Sequence, residues 1–277
     1  MFFSYNDYTF IRGNTFHGLK QLAELNLSRN KLEGVETELL EGLDNLITID
    51  FSYNAITFID FKFFQDAINL ITINFSYNQL TSLHSKLFHN LENLTDLNFS
   101  GNQLTHIEPK TFVGLHNLKK ILLSNNKIID LDTDTFLGLT NLIEIDLSYN
   151  KIKKIFPKTF NGLVNLGKLY LSSNLIQQLD VETFFGLDNL TKVYLFKNLI
   201  TRIDAKLFKG LVKLSEVYLS GNKIETNTLK LYLESNVKFF SFKRGIFDND
   251  IQSINMPSVN KFLFFYMLKK LFFDYIL

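Results

Sequence analysis

One asparagine returns through this chain at a fixed step: Asn6, Asn30, Asn54, Asn78, Asn102, Asn126, Asn150, Asn174, Asn198 and Asn222. Every interval is 24 residues, with no insertion or deletion. Around each asparagine runs the pattern L-x-x-L-x-L-x-x-N-x-L-x-x-I-x-x-x-x-F-x-G-L-x-N. Leu142 to Asn165, LIEIDLSYNKIKKIFPKTFNGLVN, is a clear copy. Complete copies run from Leu22 to Lys213, with partial copies on either side. A period of this length means one supersecondary unit repeated. No unit buries its own apolar edge, and stacking buries them all.

The parts of the unit predict its shape. The L-x-L core alternates in and out, so it is a short strand with one buried face. Successive strands point the same way and stack into a parallel sheet. About fifteen residues then return the chain within one coil, too few for a long helix, so turns, extended chain and single 3₁₀ turns are expected. The fixed asparagine turns the chain after the strand, and its amide bonds backbone groups that the bend leaves unpaired. A phenylalanine column (Phe16, Phe64, Phe88, Phe112, Phe136, Phe160, Phe184, Phe208, with Leu40 as the exception) fills the wide outer side of the coil. Glycine before leucine in most copies permits a tight turn. Strands pack closer than bulky return segments, so the stack bends with its sheet inside.

These residues, over about 1–225, resemble the typical 24-residue class of leucine-rich repeat proteins. The missing G-x-I-P segment separates them from the plant-type repeat. The nearest likeness is to animal extracellular arrays such as Toll-type receptors, Slit, chaoptin and the acid-labile subunit. The resemblance implies an α/β fold, a right-handed horseshoe solenoid with a parallel β-sheet on the concave face and mostly loops and 3₁₀ turns on the convex face. It also implies a non-catalytic module of an extracellular or cell-surface receptor, adhesion or matrix protein, secreted or membrane-anchored, that binds a protein ligand or receptor partner on the concave sheet. The alternative class is an intracellular scaffold or regulator built from the same repeats.

Composition narrows the chemistry. Lys and Arg total 29 against 28 Asp and Glu, a net charge of +1, which gives no bulk reason to bind nucleic acid or an anionic membrane. Cysteine is absent, which excludes disulfides, thiolate metal sites and a cysteine nucleophile. The extracellular relatives cap their solenoids with cysteine-rich modules, so this absence favours the intracellular alternative. Asp130, Asp132 and Asp134 open like a calcium loop, but Thr135 replaces the expected glycine and Asn141 the closing glutamate. His17, His84, His89, His106 and His116 fall on return segments or turns without zinc spacing. No nucleophile elbow or phosphate loop occurs. No enzyme, metal or cofactor is expected.

The register assigns the outward face of the sheet. Its strand centres are Asn26, Asp50, Asn74, Asn98, Leu122, Asp146, Tyr170, Tyr194 and Tyr218. With strands about 4.8 Å apart, the last three should form a tyrosine ladder. Lys168, Lys192, Lys197, Phe196 and Glu216 flank it on the same face. A serine row follows two residues after the strand centre, and a third row carries Tyr53, Tyr77 and Tyr149. Tyrosine offers large contact area at low entropy cost. The expected ligand surface is therefore Tyr170, Tyr194 and Tyr218, with Lys168, Lys192, Lys197, Phe196, Glu216, Tyr149 and Asp146. Sequons for N-glycosylation stand at Asn26, Asn74, Asn93, Asn98 and Asn189, a frequency close to chance for this composition. Asn26, Asn74 and Asn98 lie on the concave face, where glycans would push binding toward the tyrosine end.

The ends depart from the pattern. MFFSYNDYTF lacks the parts of a signal peptide. Met1 and Phe3 fall on core leucine positions of a strand, which suggests a piece of a longer array. After Asn222 the pattern asks for a buried leucine or isoleucine and finds Asn227. Residues 226–277 read as a degenerate cap or an irregular Phe- and Lys-rich tail. LKLYLESN (229–236) is a candidate last strand or short helical cap, with Tyr232 extending the ladder. FLFFYMLKKLFFDYIL (262–277) is too short and too charged for an ordinary spanning helix; any membrane contact rests on a missing or truncated anchor.

Overall fold

A computed structural model describes residues 1–224 and the backbone of 239–241. The L-x-L core of each repeat is a three-residue strand. These are β1 (Glu24–Asn26), β2 (Thr48–Asp50), β3 (Thr72–Asn74), β4 (Asp96–Asn98) and β5 (Lys120–Leu122). β6 (Asp130–Leu131) and β8 (Lys154–Ile155) lie apart from them. The series continues with β7 (Glu144–Asp146), β9 (Lys168–Tyr170), β10 (Lys192–Tyr194), β11 (Glu216–Tyr218) and β12 (Phe239–Ser241). Ten strands make one parallel sheet in the order β1-β2-β3-β4-β5-β7-β9-β10-β11-β12. Between β1 and β11 each residue pairs with the one 24 positions on, as Ile145 does with Leu169. Phe2 bridges Asn26 before β1, in the same phase. Met1 is 46% exposed on this first coil, although the pattern puts it at a core position.

The return segments contain turns and short 3₁₀ helices at Gly13–Phe16, Thr37–Leu40 and Ala205–Phe208. An element the sequence did not announce is the parallel pair β6–β8, where Asp130 lies opposite Lys154. The acidic run beginning at Asp130 is thus on the return side. Among the described residues no group of three or more His, Asp or Glu is placed to hold a metal ion. No helix there is long and apolar enough to cross a membrane.

Curvature is recorded by three layers of rings. On the outward face of the sheet, Tyr170 and Tyr194 stack at 4.4 Å and Tyr194 and Tyr218 at 4.6 Å. In the core behind the sheet, Phe51–Phe75 and Phe75–Phe99 lie at 4.9 and 5.7 Å. On the back of the coil, stacked pairs of the phenylalanine column widen further, to 6.1 Å for Phe64–Phe88 and 6.3 Å for Phe184–Phe208. Spacing that grows from face to back is a stack bent with its sheet on the concave side. Leu40, the exception in the column, is buried like its neighbours.

The asparagine column satisfies the bend. Asn126 is 7% exposed. Its amide donates to Leu123 O and Ser124 O in its own coil and to Phe99 O in the preceding one, at 2.9–3.3 Å. Its Oδ1 accepts from the Leu104 N–H at 3.0 Å. The bonds to Phe99 and Leu104 tie coil to coil, so the column is a seam as well as a turn. The residue before each asparagine is left-handed throughout, whether glycine (Gly101, φ 69; Gly221, φ 74) or not (Tyr53, φ 56; Lys197, φ 55). A non-glycine residue there carries a strain of about 1 kcal/mol, which the surrounding coil must hold.

A second asparagine column closes the repeat. Asn45, Asn69, Asn93, Asn117, Asn141, Asn165 and Asn189 each donate to a carbonyl 25 residues earlier, such as Val164 O at 2.7 Å from Asn189.

The C-terminal strand differs from the sequence expectation. Residues 229–236 and Asn227 lie outside the described residues. The strand beside β11 is Phe239–Ser241, with Glu216 opposite Phe239 and Tyr218 opposite Ser241. Ser241, not Tyr232, therefore holds the position next to Tyr218. The sheet runs past residue 225, and the first compact unit extends over Met1–Phe242. The 262–277 segment lies outside the described residues.

Candidate functional site

The outward face of β7, β9, β10 and β11 gathers most of the residues that the register picks out. Tyr170, Tyr194 and Tyr218 are in direct Cα register. Their rings are within 6° of parallel at 4.4 and 4.6 Å, stacked face to face into one aromatic slab across three coils. Strand spacing dictates this: parallel neighbours about 4.8 Å apart hold identical planar side chains at stacking distance. Each of the three is half-buried. Burial, helped by Glu144, Tyr194 and Asp146, pushes the Tyr170 phenol up to about 12.

One step toward the strand start, the outward residues are charged. The sequence reading names Lys168, Lys192 and Glu216 here as ligand contacts, and the structure pairs them with their neighbours. Glu144 sits between Lys120 at 3.2 Å and Lys168 at 3.7 Å. Lys192 meets Glu216 at 2.9 Å. The Tyr218 hydroxyl donates to Glu216 Oε2 at 2.5 Å. That hydrogen bond, followed by Lys192, holds the Glu216 carboxyl below its usual range, and Glu216 raises Lys192. Glu144 and Lys120 are the members that the sequence reading missed. The signal was present as opposite charges 24 residues apart at equivalent outward positions.

The remaining candidates separate. Asp146 is opposite Tyr170 in register, and its Oδ1 accepts from both the N–H and the hydroxyl of Ser148. Phe196 takes the place of a serine in the row two residues after the strand centre and is half-buried. Tyr149 and Lys197 belong to the left-handed column, two coils apart from each other. Tyr149 is 54% exposed and stands outside the stacked slab. In the same column Tyr53 and Tyr77 stack at 4.4 Å. The charged and aromatic groups of the slab can make broad, flat contacts and accept or donate hydrogen bonds at its rim.

The repeat is also recognised by comparison. The family model described as leucine rich repeat matches residues 20–67, 48–104, 68–128, 116–176 and 165–224, which together span most of the chain. The chain is a leucine-rich repeat protein. Among solved structures, this leucine-rich repeat chain resembles a leucine-rich repeat protein of Leptospira interrogans, with a TM-score of 0.73 and 29% identity over 86% of this chain and 59% of that one. It resembles the leucine-rich repeat domain of APL1B, with a TM-score of 0.70 and 20% identity over 81% of this chain and 64% of that one. Toll of Drosophila, solved in complex with Spätzle, gives 0.66 and 23% over 84% of this chain and 35% of the Toll chain. No curated protein matches the sequence. The chain thus spans less than two thirds of the length of each of these structural relatives.

Proposed function

We propose that this leucine-rich repeat chain is a non-catalytic recognition module that takes a protein ligand on its concave sheet, centred on Tyr170, Tyr194 and Tyr218. The observation that carries the reading is the slab itself. Three phenol rings are preset in one parallel stack by the backbone register, so little side-chain entropy remains to be lost on binding. The surrounding charges already engage one another, Glu144 with Lys120 and Lys168 and Glu216 with Lys192, which suits a polar rim around an aromatic centre. Lys192 is neutralised by Glu216, and Lys120 and Lys168 share Glu144 beside Asp146, so the face holds no net positive charge to favour a polyanion, although one structure of similar fold, TLR13, is solved with a single-stranded RNA. The setting that best fits the repeat type is an extracellular or cell-surface receptor, adhesion or matrix protein.

The experiment is a binding screen of the multimerised chain against an array of extracellular proteins, repeated with Tyr170→Ala, Tyr194→Ala and Tyr218→Ala combined. Partners of the wild-type chain should weaken by tenfold or more. Partners retained in full by the triple variant would sink the assignment of the site. The absence of cysteine favours a second reading, an intracellular scaffold; in that case partners would come from an array of cytosolic proteins, with the same dependence on the slab.

A further inference from the structure

The left-handed column carries a second feature in the first four coils, away from the tyrosine slab. The Arg29 guanidinium lies over the ring of Tyr5 at 4.9 Å on one side and over the ring of Tyr53 at 4.2 Å on the other. Tyr53 stacks on Tyr77 at 4.4 Å. Tyr77 in turn lies against Gly101, where a Cβ would meet its Cδ1 at 2.7 Å. The result is a continuous stack of Tyr5, Arg29, Tyr53 and Tyr77, closed by a glycine. All five residues are left-handed, with φ between 54° and 69°. Tyr5, Tyr53 and Tyr77 are 75%, 41% and 46% exposed.

We infer that Arg29, clamped between Tyr5 and Tyr53, is a docking point for the carboxylate of an aspartate or glutamate in a peptide segment of a protein partner. Covering both faces of a guanidinium leaves only its planar edge for polar contact. That edge presents N–H donors in a fork that matches a carboxylate in two parallel hydrogen bonds. Stacking also fixes the plane before the ligand arrives. Among the described residues the Arg29 side chain has no ion pair or hydrogen bond to use up these donors. The neighbouring cation, Lys31, is already held by Asp7 at 2.7 Å.

The surrounding charge selects the class of anion. The same coils carry Asp7, Glu24, Glu33 and Asp50, and of these only Asp7 has an ion pair among the described residues. Arg29, without an ion pair among the described residues and set among these acids, suits a single carboxylate on an otherwise uncharged segment. A phosphate dianion or a nucleic-acid backbone would bring more negative charge than this neighbourhood neutralises. The phenol rim beside Arg29 offers hydroxyl donors to the carbonyls of the same segment.

The test uses the whole chain and three pools of random dodecapeptides, each with one fixed central residue: glutamate, glutamine or phosphoserine. The wild-type chain should retain the glutamate pool five- to tenfold better than the glutamine pool. Arg29→Gln should abolish that preference at unchanged melting temperature, because the side chain is on the surface. Arg29→Lys should keep the charge but lose most of the preference, and Tyr5→Ala with Tyr53→Ala should lose it with Arg29 intact. Equal retention of the glutamate and glutamine pools, a preference that survives Arg29→Gln, or stronger retention of the phosphoserine pool would overturn the inference. The Tyr170, Tyr194 and Tyr218 triple variant should leave the preference untouched, so this site and the slab stand or fall separately.

Discussion

The hydroxyl of Tyr218 donates to Glu216, two residues earlier on the same strand, while Lys192 reaches the other oxygen of that carboxylate from the neighbouring coil. One carboxylate thereby joins the aromatic slab to the charged column. The fold lowers the Glu216 pKa, first through Tyr218 and then through Lys192. A carboxyl with a depressed folded value contributes stability above its unfolded value and loses it as pH falls through the folded one. Titration of the Glu216 carboxyl carbon by NMR should therefore give a midpoint below the ordinary value of about 4.3, and Tyr218→Phe should raise it. A midpoint at or above the ordinary value would contradict the geometry. Thermal stability should change little in Glu216→Gln, because both partners reach solvent.

Tyr170 titrates at the opposite end of the scale. Burial first, then Glu144, Tyr194 and Asp146, raise its phenol to about 12. An acid whose folded value is raised keeps its contribution below the unfolded value, about 10 for tyrosine, and loses it as pH climbs toward the folded value. Absorbance at 295 nm, taken as wild type minus Tyr170→Phe, should rise near pH 12. Glu144→Gln should bring that rise to lower pH. A difference curve centred at pH 10 would mean that the slab is open to water.

How much of this was legible in the sequence differs by kind of interaction. The period fixes the strand register, because a constant 24-residue step leaves no slack, so the tyrosine slab and both faces of the sheet follow from arithmetic. The buried role of the first asparagine column follows from the bend it must satisfy. Contacts that depend on side-chain reach between coils do not follow. Glu144 binding two lysines, or Arg29 turning between Tyr5 and Tyr53, requires rotamers as well as register. The strand beside β11 is hidden from the pattern for a different reason. Phe239–Ser241 follows Glu216–Tyr218 by 23 residues and has no consensus asparagine, whereas 229–236 spells the motif in a segment too short for a coil.

The asparagine seam should dominate local stability. Asn126→Ala removes the acceptor for the buried Leu104 N–H, which has no other partner among the described residues, and the amide bonds to Phe99, Leu123 and Ser124, whose carbonyls still accept from Asn102, Asn150 and the Gly101 N–H. The orphaned Leu104 N–H costs about 1–3 kcal/mol and the lost amide bonds add about 1 kcal/mol, so a loss of roughly 2–4 kcal/mol is expected in urea unfolding. Its exposed neighbour gives the control. Asn125 is left-handed at φ 55, where Gly101 and Gly221 stand in other coils, so Asn125→Gly should change stability by only a few tenths of a kcal/mol. Equal effects at 125 and 126 would refute the seam. Since each coil touches only its neighbours, the Asn126→Ala transition should also broaden as the array splits at that coil.

Glycosylation offers the last check, because the five sequons use their amides differently. A glycan replaces a hydrogen on Nδ2. Asn189 already spends Nδ2 on Val164 O at 2.7 Å, and Asn93 donates to Ile68 O at 3.4 Å. Asn26, Asn74 and Asn98 instead anchor through Oδ1, which accepts the N–H of Ser28, Ser76 and Ser100. Their Nδ2 groups make no hydrogen bond among the described residues, so a sugar there removes nothing that holds the coil. After expression through a secretory pathway, glycopeptide mapping should find Asn26, Asn74 and Asn98 the better occupied. Enzymatic trimming to one sugar per site should leave the melting temperature of material modified there unchanged relative to the bare chain. Material modified at Asn189 should melt lower, since one N–H cannot serve both Val164 O and Asn165 Oδ1, which Nδ2 reaches in the bare chain. Preferential occupancy of Asn189 with no change in melting temperature would show that the second asparagine column contributes little to holding the coils together.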